Sequence, residues 1–167
     1  MRSDAGRTLA AVASQHSYAL AAEWTGSTGS GTTGYRDYGR NVVLRVEGKP
    51  DLLASADVPF RGDADRWNPE ELLLAALSEC HLLSYLHVAV KHGVVVTAYT
   101  DAATGDMVVT PDDAGHFTRV DLHPRVELAD ESQRALADSL HAEANRLCFI
   151  ANSVNFPVHH TPVAPHA

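Results

Sequence analysis

The sequence predicts an α+β domain in which largely antiparallel sheets pack on a long central helix. Two observations lead to this prediction. Leucine and alanine occupy nearly every side of residues 72–86, which is typical of a buried helix. Short segments with alternating or β-branched residues, typical of strands, lie on both sides of it. The expected order is ββ-α-βββ-α-β, and 167 residues suffice for one domain with a full core.

The N-terminal part of the chain predicts two strands joined by a flexible loop. Residues 18–24 and 41–47 are the expected strands, and the Gly-, Ser- and Thr-rich residues 25–34 are the loop. A turn at residues 48–50 leads to residues 51–67, which are polar and irregular. A loop of this length inside a compact domain is more often functional than idle.

The central helix has a strong start signal. Asn68 can cap it, Pro69 suits its first position, and Glu70 and Glu71 favour the positive end of the helix dipole. We therefore expect a helix over residues 69–91.

The second half of the chain predicts strands around another helix. The expected strands are residues 94–99, 107–110 and 117–128. Asp130 and Gln133 resemble a capping box for a helix that ends near Leu147. Residues 156–163 are expected to form a last strand.

Composition excludes several classes of protein. The chain has 13 Lys and Arg against 21 Asp and Glu, a net charge of −8, which argues against binding of nucleic acid or of an anionic membrane. We expect no apolar run of the roughly 20 residues that span a bilayer. Residues 1–15 are expected as a loose extension, 16–163 as one domain and 164–167 as a tail, in a cytoplasmic protein.

The chain has two cysteines, Cys80 and Cys148. In a reducing compartment such a pair is more often catalytic than structural, because one thiol can attack an oxidant and the other can close a disulfide. Two alternatives stay open at this stage. Both thiols could be buried core residues, or Cys80 and His81 could bind a metal, although no CxxC and no recognisable histidine spacing favours zinc.

Cys80 lies in the middle of its helix, where the helix dipole contributes little. Because a thiol reacts as its thiolate, a fixed cation should lie nearby. The candidate cations are Arg36, Arg40, Arg61 and Arg66. Glu70 is ten residues earlier and therefore about 15 Å away along a straight helix, so it cannot touch Cys80 of its own chain.

These motifs resemble the OsmC/Ohr family of hydroperoxide reductases. The resemblance depends on Asn68-Pro69-Glu70-Glu71-Leu72, on Cys80 ten residues after Glu70, on Cys148 after the second helix, and on Trp24-Thr25-Gly26. It covers about residues 16–162. The segments around Arg61, Cys80 and Cys148 are similar to one OsmC-like subgroup.

The resemblance implies an OsmC-like fold in which two chains intertwine as a homodimer with active sites at the subunit interface. It implies that Cys80 attacks the peroxide, that Cys148 resolves the product, and that Glu70 holds an arginine that stabilises the thiolate. Arg61 is the first choice for this arginine, Arg36 the second and Arg40 the third. Glu79 departs from the family's usual small residue and is expected to point away from the Cys80 face of the helix.

The implied activity is thiol-dependent reduction of organic hydroperoxides in oxidative stress defence. It would pass through a sulfenic acid on Cys80 and a disulfide between Cys80 and Cys148. The implied cycle uses no metal, haem or flavin, and an external thiol or dithiol, such as a lipoyl-type group, restores the pair. Two rivals remain: an enzyme of the same fold acting on another electrophile, and a non-catalytic dimeric binding module whose cysteines are structural.

Overall fold

The computed structural model describes residues 14–164, so most of the expected N-terminal extension and of the C-terminal tail lies outside the described residues. The described part is an α+β domain. Its strands are β1 (Ala21–Trp24), β2 (Val42–Arg45), β3 (Leu52–Ala54), β4 (Val96–Thr100), β5 (Thr104–Val109), β6 (Gly115–Leu122), β7 (Arg125–Leu128) and β8 (Val158–His160). Its α-helices are α1 (Pro69–Lys91) and α2 (Arg134–Leu147), and short 3₁₀ turns cover Val58–Phe60, Glu131–Gln133 and Ala151–Ser153.

The strands form three small sheets, in the orders β1-β2-β3, β4-β7 and β5-β6-β8. Every pairing is antiparallel except that of β6 with β8, which is parallel. The prediction of largely antiparallel sheets is therefore confirmed, with one parallel pair that brings the C-terminal strand beside β6.

The predicted bounds of α1 are confirmed. The Asn68 side chain accepts a hydrogen bond from the backbone N–H of Glu71 at 2.8 Å, and the Glu71 carboxylate accepts one from the N–H of Asn68 at 3.2 Å. This reciprocal capping box satisfies two of the backbone donors that a helix start leaves free. Because the signal is local, sequence alone locates the start of the helix.

By length and composition alone, α1 could cross a membrane. It has 23 residues, and its most apolar window of 18 residues has a mean hydropathy of 1.5. The expectation that no segment approaches a membrane span is therefore wrong on this measure. The core helix of a soluble protein passes the same test, and α1 carries buried His81 and Tyr85 and packs against α2. Only 28% of the window is buried within one chain, so much of the apolar surface of α1 stays uncovered.

The predicted strand over residues 117–128 is wrong in one respect, because it is two strands in different sheets. β6 ends at Leu122 and pairs with β5 and β8, whereas β7 begins at Arg125 and pairs with β4. Pro124 lies between them, and proline has no N–H to donate to a ladder. The region of residues 51–67 also contains β3, a strand that the sequence did not predict.

The predicted capping box at the start of the second helix is wrong. The Asp130 side chain accepts from the N–H of Ser132 at 2.9 Å and so caps a 3₁₀ turn, while α2 begins after Gln133 without a side-chain cap. The predicted end of this helix at Leu147 is confirmed. Cys148 is the residue that ends it.

Candidate active site

The structure brings the two cysteines together. Cys80 lies on α1, three turns from its start, and Cys148 caps the C-terminus of α2. The two helices pack on each other, and the Cys80 thiol lies close enough to that of Cys148 to raise its pKa. Both thiols are free. Sequence analysis could not establish this contact, because it depends on how two distant helices pack.

A compact turn fixes Cys148. The Asn152 side-chain amide donates to two carbonyls at the end of α2, that of Arg146 at 3.0 Å and that of Cys148 at 2.9 Å. The N–H of Ala151 donates to the Cys148 sulfur at 3.4 Å. The segment Cys148-Phe149-Ile150-Ala151-Asn152 therefore satisfies the free carbonyls of a helix end and holds one sulfur in place.

An apolar cavity of about 640 Å³ opens beside Cys80. It is lined by one face of α1 and by the end of α2 with its following turn. The lining residues are Ala76, Glu79, Cys80, Leu83, Ser84, His87, Leu147, Phe149 and Ile150. A cavity of this size and composition suits a small organic molecule whose reactive group meets the thiol.

The two thiols differ in environment. Cys148 is 1% exposed, and burial, followed by the effect of the neighbouring Cys80 thiol, raises the pKa of Cys148 to about 11. Cys148 is therefore a neutral thiol that can donate to a thiolate on Cys80. Cys80 is half-buried and lines the cavity, so it is the thiol that a ligand reaches.

Glu79 corrects a prediction. We expected it to point away from the Cys80 face, but Glu79 and Cys80 line the same cavity. Successive residues on a helix differ by about 100°, and a cavity that covers a wide arc of the helix includes both. The Glu79 side chain is exposed at this edge, so solvent screens its charge.

Glu70 lies apart from Cys80, as the helix geometry predicts. It lines a separate cavity of about 190 Å³ with Phe60 of the 3₁₀ turn and Met107 of β5. Its Oε2 atom is buried and has no hydrogen-bond partner among the described residues. A buried carboxylate oxygen without a partner is costly, so this position suits a cation from outside the chain.

The candidate arginines occupy different positions. Arg40 lies over the rings of Tyr35 and Tyr38, 4.5 and 4.0 Å from the ring centroids, and donates to the carbonyls of both residues. Arg61 is exposed, with a left-handed φ of 66°, at the end of a 3₁₀ turn. Arg36 is exposed. Within residues 14–164 neither Arg36 nor Arg61 has an ion pair or a side-chain hydrogen bond.

Arg66 is the most enclosed of the four candidates. Its Nε is 3.9 Å from the Asp63 carboxylate, and its Nη1 is buried without a hydrogen-bond partner among the described residues. No described lysine or arginine of the same chain donates a hydrogen bond to Cys80.

His81 is fully buried and does not line the cavity. Its Nε2 is 3.1 Å from Nδ1 of His141 on α2, and its ring stacks with those of His141 and His160. His141 stacks in turn on Tyr85, with ring centroids 4.2 Å apart. The metal hypothesis that paired His81 with Cys80 is not supported, because the two side chains face different parts of the molecule.

Sequence analysis missed two polar residues of the cavity, Ser84 and His87. They lie four and seven residues after Cys80, which places them on the same face of a helix. That spacing was the signal that could have identified them.

The chain is similar to a known protein family. The family model described as OsmC-like protein matches residues 62–162, which include both cysteines and Glu70. Among curated proteins, none matches this chain.

Solved structures share the fold over most of the chain. An OsmC-like protein of unknown function from Vibrio cholerae is 29% identical, covers 89% of this chain and 100% of its own, and has a TM-score of 0.79. An organic hydroperoxide resistance protein OsmC from Legionella pneumophila is 17% identical, with coverage of 92% and 100% and a TM-score of 0.67. One from Elizabethkingia anophelis, with thiocyanate bound, is also 17% identical, with coverage of 92% and 100% and a TM-score of 0.63. At 17% identity these two likenesses concern the fold.

Proposed function

Since the chain belongs to the OsmC-like protein family, we propose that it is a thiol-dependent peroxidase that reduces organic hydroperoxides to alcohols. The observation that carries the proposal is the contact between an accessible thiol, Cys80, and a buried one, Cys148, at the wall of an apolar cavity. This arrangement supports a nucleophile and a resolving partner in one site.

The cycle has two chemical steps. The Cys80 thiolate attacks the terminal oxygen of the hydroperoxide, the O–O bond breaks, and an alcohol leaves once its oxygen gains a proton. The sulfenic acid on Cys80 then condenses with Cys148, which releases water and leaves a disulfide. The two thiols already lie close enough to interact, so condensation needs little movement.

The apolar lining favours organic over hydrogen peroxide. Leu83, Leu147, Phe149 and Ile150 offer hydrocarbon surface to an alkyl chain. Hydrogen peroxide has no alkyl group and would gain nothing from this surface.

For activation of Cys80 we propose Arg61, held by Glu70, both supplied by the partner chain of an intertwined homodimer. The buried Oε2 of Glu70 without a partner supports a missing cation. Arg61 is exposed and close in sequence to Glu70, and its guanidinium has no ion pair or hydrogen bond within residues 14–164. Arg40 is less suitable because its guanidinium already stacks on two tyrosine rings. Arg66 has a buried Nη1, so a substitution of Arg66 is the control for a substitution of Arg61.

Uncovered apolar surface supports the homodimer. Val90 on α1 is 79% exposed, Val95 is 60% exposed, and every residue of β1 is exposed. A helix that is apolar on nearly every side requires cover that one chain does not provide. We also propose that the protein is cytoplasmic, where an external thiol or dithiol, such as a lipoyl-type group, can reduce the disulfide.

Stopped-flow kinetics test the proposal. Purified protein is mixed with tert-butyl hydroperoxide, a fatty-acid hydroperoxide or hydrogen peroxide, and Cys80→Ser is the matched control. We expect consumption of the organic peroxides at least about 100-fold faster than by the variant, and faster than that of hydrogen peroxide. Equal rates for wild type and Cys80→Ser would rule the activity out. Fast alkylation of Cys80 without peroxide consumption would instead favour an enzyme of this fold that acts on another electrophile.

A further inference from the structure

Ser84 has a hydroxyl that the fold does not use. Three serines lie within α1 and α2: Ser78, Ser84 and Ser139. Ser78 donates to the Asp101 carboxylate at 2.5 Å, and Ser139 donates to the carbonyl of Leu136 at 2.6 Å. Among the described residues, Ser84 makes no side-chain hydrogen bond at all.

Serine within a helix either bonds back to a carbonyl of the preceding turn or points to solvent. The Ser84 side chain lines the apolar cavity instead. In such a cavity a hydroxyl without a partner is available to a ligand.

Ser84 lies one helical turn after Cys80, and both line the same cavity. Residues at this spacing have Cβ atoms about 5–6 Å apart, and helical side chains lean toward the N-terminus, which directs the hydroxyl toward the thiol. No hydrogen bond joins Ser84 to Cys80, so the two groups do not close the gap between them. The cavity that both residues line is open at this point to the peroxide group of a ligand.

We propose that Ser84 is a catalytic residue that donates a hydrogen bond to the leaving oxygen of the hydroperoxide. The inference rests on the proposed function of Cys80. The Cys80 sulfur forms a bond to the terminal oxygen and is oxidised from thiolate to sulfenic acid. The O–O bond breaks, and the inner oxygen leaves with the electron pair as an alkoxide. Ser84 stabilises this developing charge, and a proton from water in the open cavity completes the alcohol.

The geometry assigns Ser84 to the oxygen that leaves, because the attacking sulfur, the terminal oxygen and the leaving oxygen are collinear in such a displacement. When the peroxide lies along the cavity wall from Cys80 towards Ser84, the leaving oxygen is on the side of Ser84. The alkyl group continues from that oxygen along Leu83 and Leu147. The group beside the attacking sulfur is a different one, since Cys148 is the residue whose thiol interacts with that of Cys80.

Two reactions of the same thiol separate this role from others. Oxidation of Cys80 by tert-butyl hydroperoxide needs the leaving oxygen to be stabilised, whereas alkylation by iodoacetamide depends on the thiolate alone. Both rates are followed at Cys80 of the full chain by quenched-flow mass spectrometry. For Ser84→Ala we expect oxidation to slow by about 10- to 100-fold, at or below the lower end of the roughly 100- to 1000-fold effect of losing one oxyanion donor, because the cavity is open to water. Alkylation should stay within about twofold of wild type.

The controls are Ser84→Thr, which keeps the donor and should retain oxidation within about threefold, and Ser139→Ala on α2, which should change neither rate. Alanine is the better helix former, so Ser84→Ala is expected to fold. Unchanged oxidation in Ser84→Ala would overturn the role of Ser84. An equal loss of the oxidation and alkylation rates would also overturn it, because Ser84 would then act on the thiolate of Cys80 and not on the leaving oxygen. Wild-type oxidation no faster than that of free cysteine, with normal alkylation, would overturn the proposed peroxidase function and the role of Ser84 with it.

Discussion

The two faces of α1 differ although they are built from adjacent residues. Cys80 faces an open apolar cavity, and His81 faces a closed core where it is 0% exposed. The open face holds polar groups without internal partners, such as Ser84. The closed face stacks its rings and joins His81 to His141 at 3.1 Å, although the other ring nitrogen of each is buried without a hydrogen-bond partner among the described residues. The difference shows how one helix can present reactive groups on one side because its other side is fixed.

The closed face is fixed by stacked rings. The Tyr85 hydroxyl donates to the carbonyl of Ala137 on α2 at 3.1 Å, and its ring packs on His141 and Tyr99. These contacts hold α1 against α2. They thereby set the relative position of Cys80 on one helix and Cys148 at the end of the other.

Acid is expected to have the largest effect, and to act on the closed face. Burial, with a further contribution from neighbouring imidazoles, lowers the pKa of His81 to about 4 and that of His141 to about 3. Unfolded histidines titrate near pH 6.5, so the unfolded chain takes up these protons first. Stability is therefore fully present above pH 6.5 and is lost as the pH falls towards 4, by roughly 3 kcal/mol for each histidine.

Urea denaturation over this pH range, at one protein concentration, measures the loss. His160 and Asp101 also face His81, and the pKa of His160 is lowered by burial, so they belong to the same titrating cluster. His141→Gln stays neutral and should remove about half of the acid loss. An equal acid loss in wild type and variant would contradict the assignment to these rings.

Truncation of the closed face should cost more than truncation of the open face. Tyr85→Ala removes a fully buried aromatic ring and is expected to lower the free energy of unfolding by about 3–5 kcal/mol. Leu83→Ala, at a side chain that is 56% exposed, should cost at most about 1 kcal/mol. Chemical denaturation of both variants checks the difference, and similar losses would show that the two faces are equally packed.

On the open face, loss of Cys148 should separate the two steps of the cycle. In Cys148→Ser the first oxidation of Cys80 should stay within about threefold of wild type, because Ser can still donate to the thiolate. Steady-state turnover with a dithiol reductant should fall more than about 100-fold, because no disulfide forms. A dione probe should then trap the sulfenic acid on Cys80. Normal turnover without Cys148 would show that it is not the resolving thiol.

The smallest effect is expected at the edge of the cavity. Glu79→Gln removes a negative charge near Cys80 and should speed alkylation of that thiol by about two- to threefold, because solvent screens the exposed carboxylate. Glu47→Gln, at an exposed site after β2, removes the same charge away from the cavity and serves as the matched control. Equal acceleration in both variants would point to net charge rather than to the position of Glu79.

Local signals explain most of what could be predicted. The start of α1 follows from Asn68, Pro69 and Glu71, which interact within one turn, and the end of α2 follows from its apolar period. The break at Pro124 had an equally local signal, which the alternation of the flanking residues obscured. The prediction for Glu79 failed because the angle between neighbouring residues does not give the width of a cavity.

The sequence by itself determined the family, the central helix and the identity of the two thiols, because each depends on residues that are close along the chain. Only the tertiary structure decided that Cys80 meets Cys148, that His81 meets His141, and that Ser84 is left without a partner. These contacts depend on how α1 and α2 pack, and packing is the sum of many weak contacts between distant segments. The spacing of residues along the chain therefore does not predict these contacts.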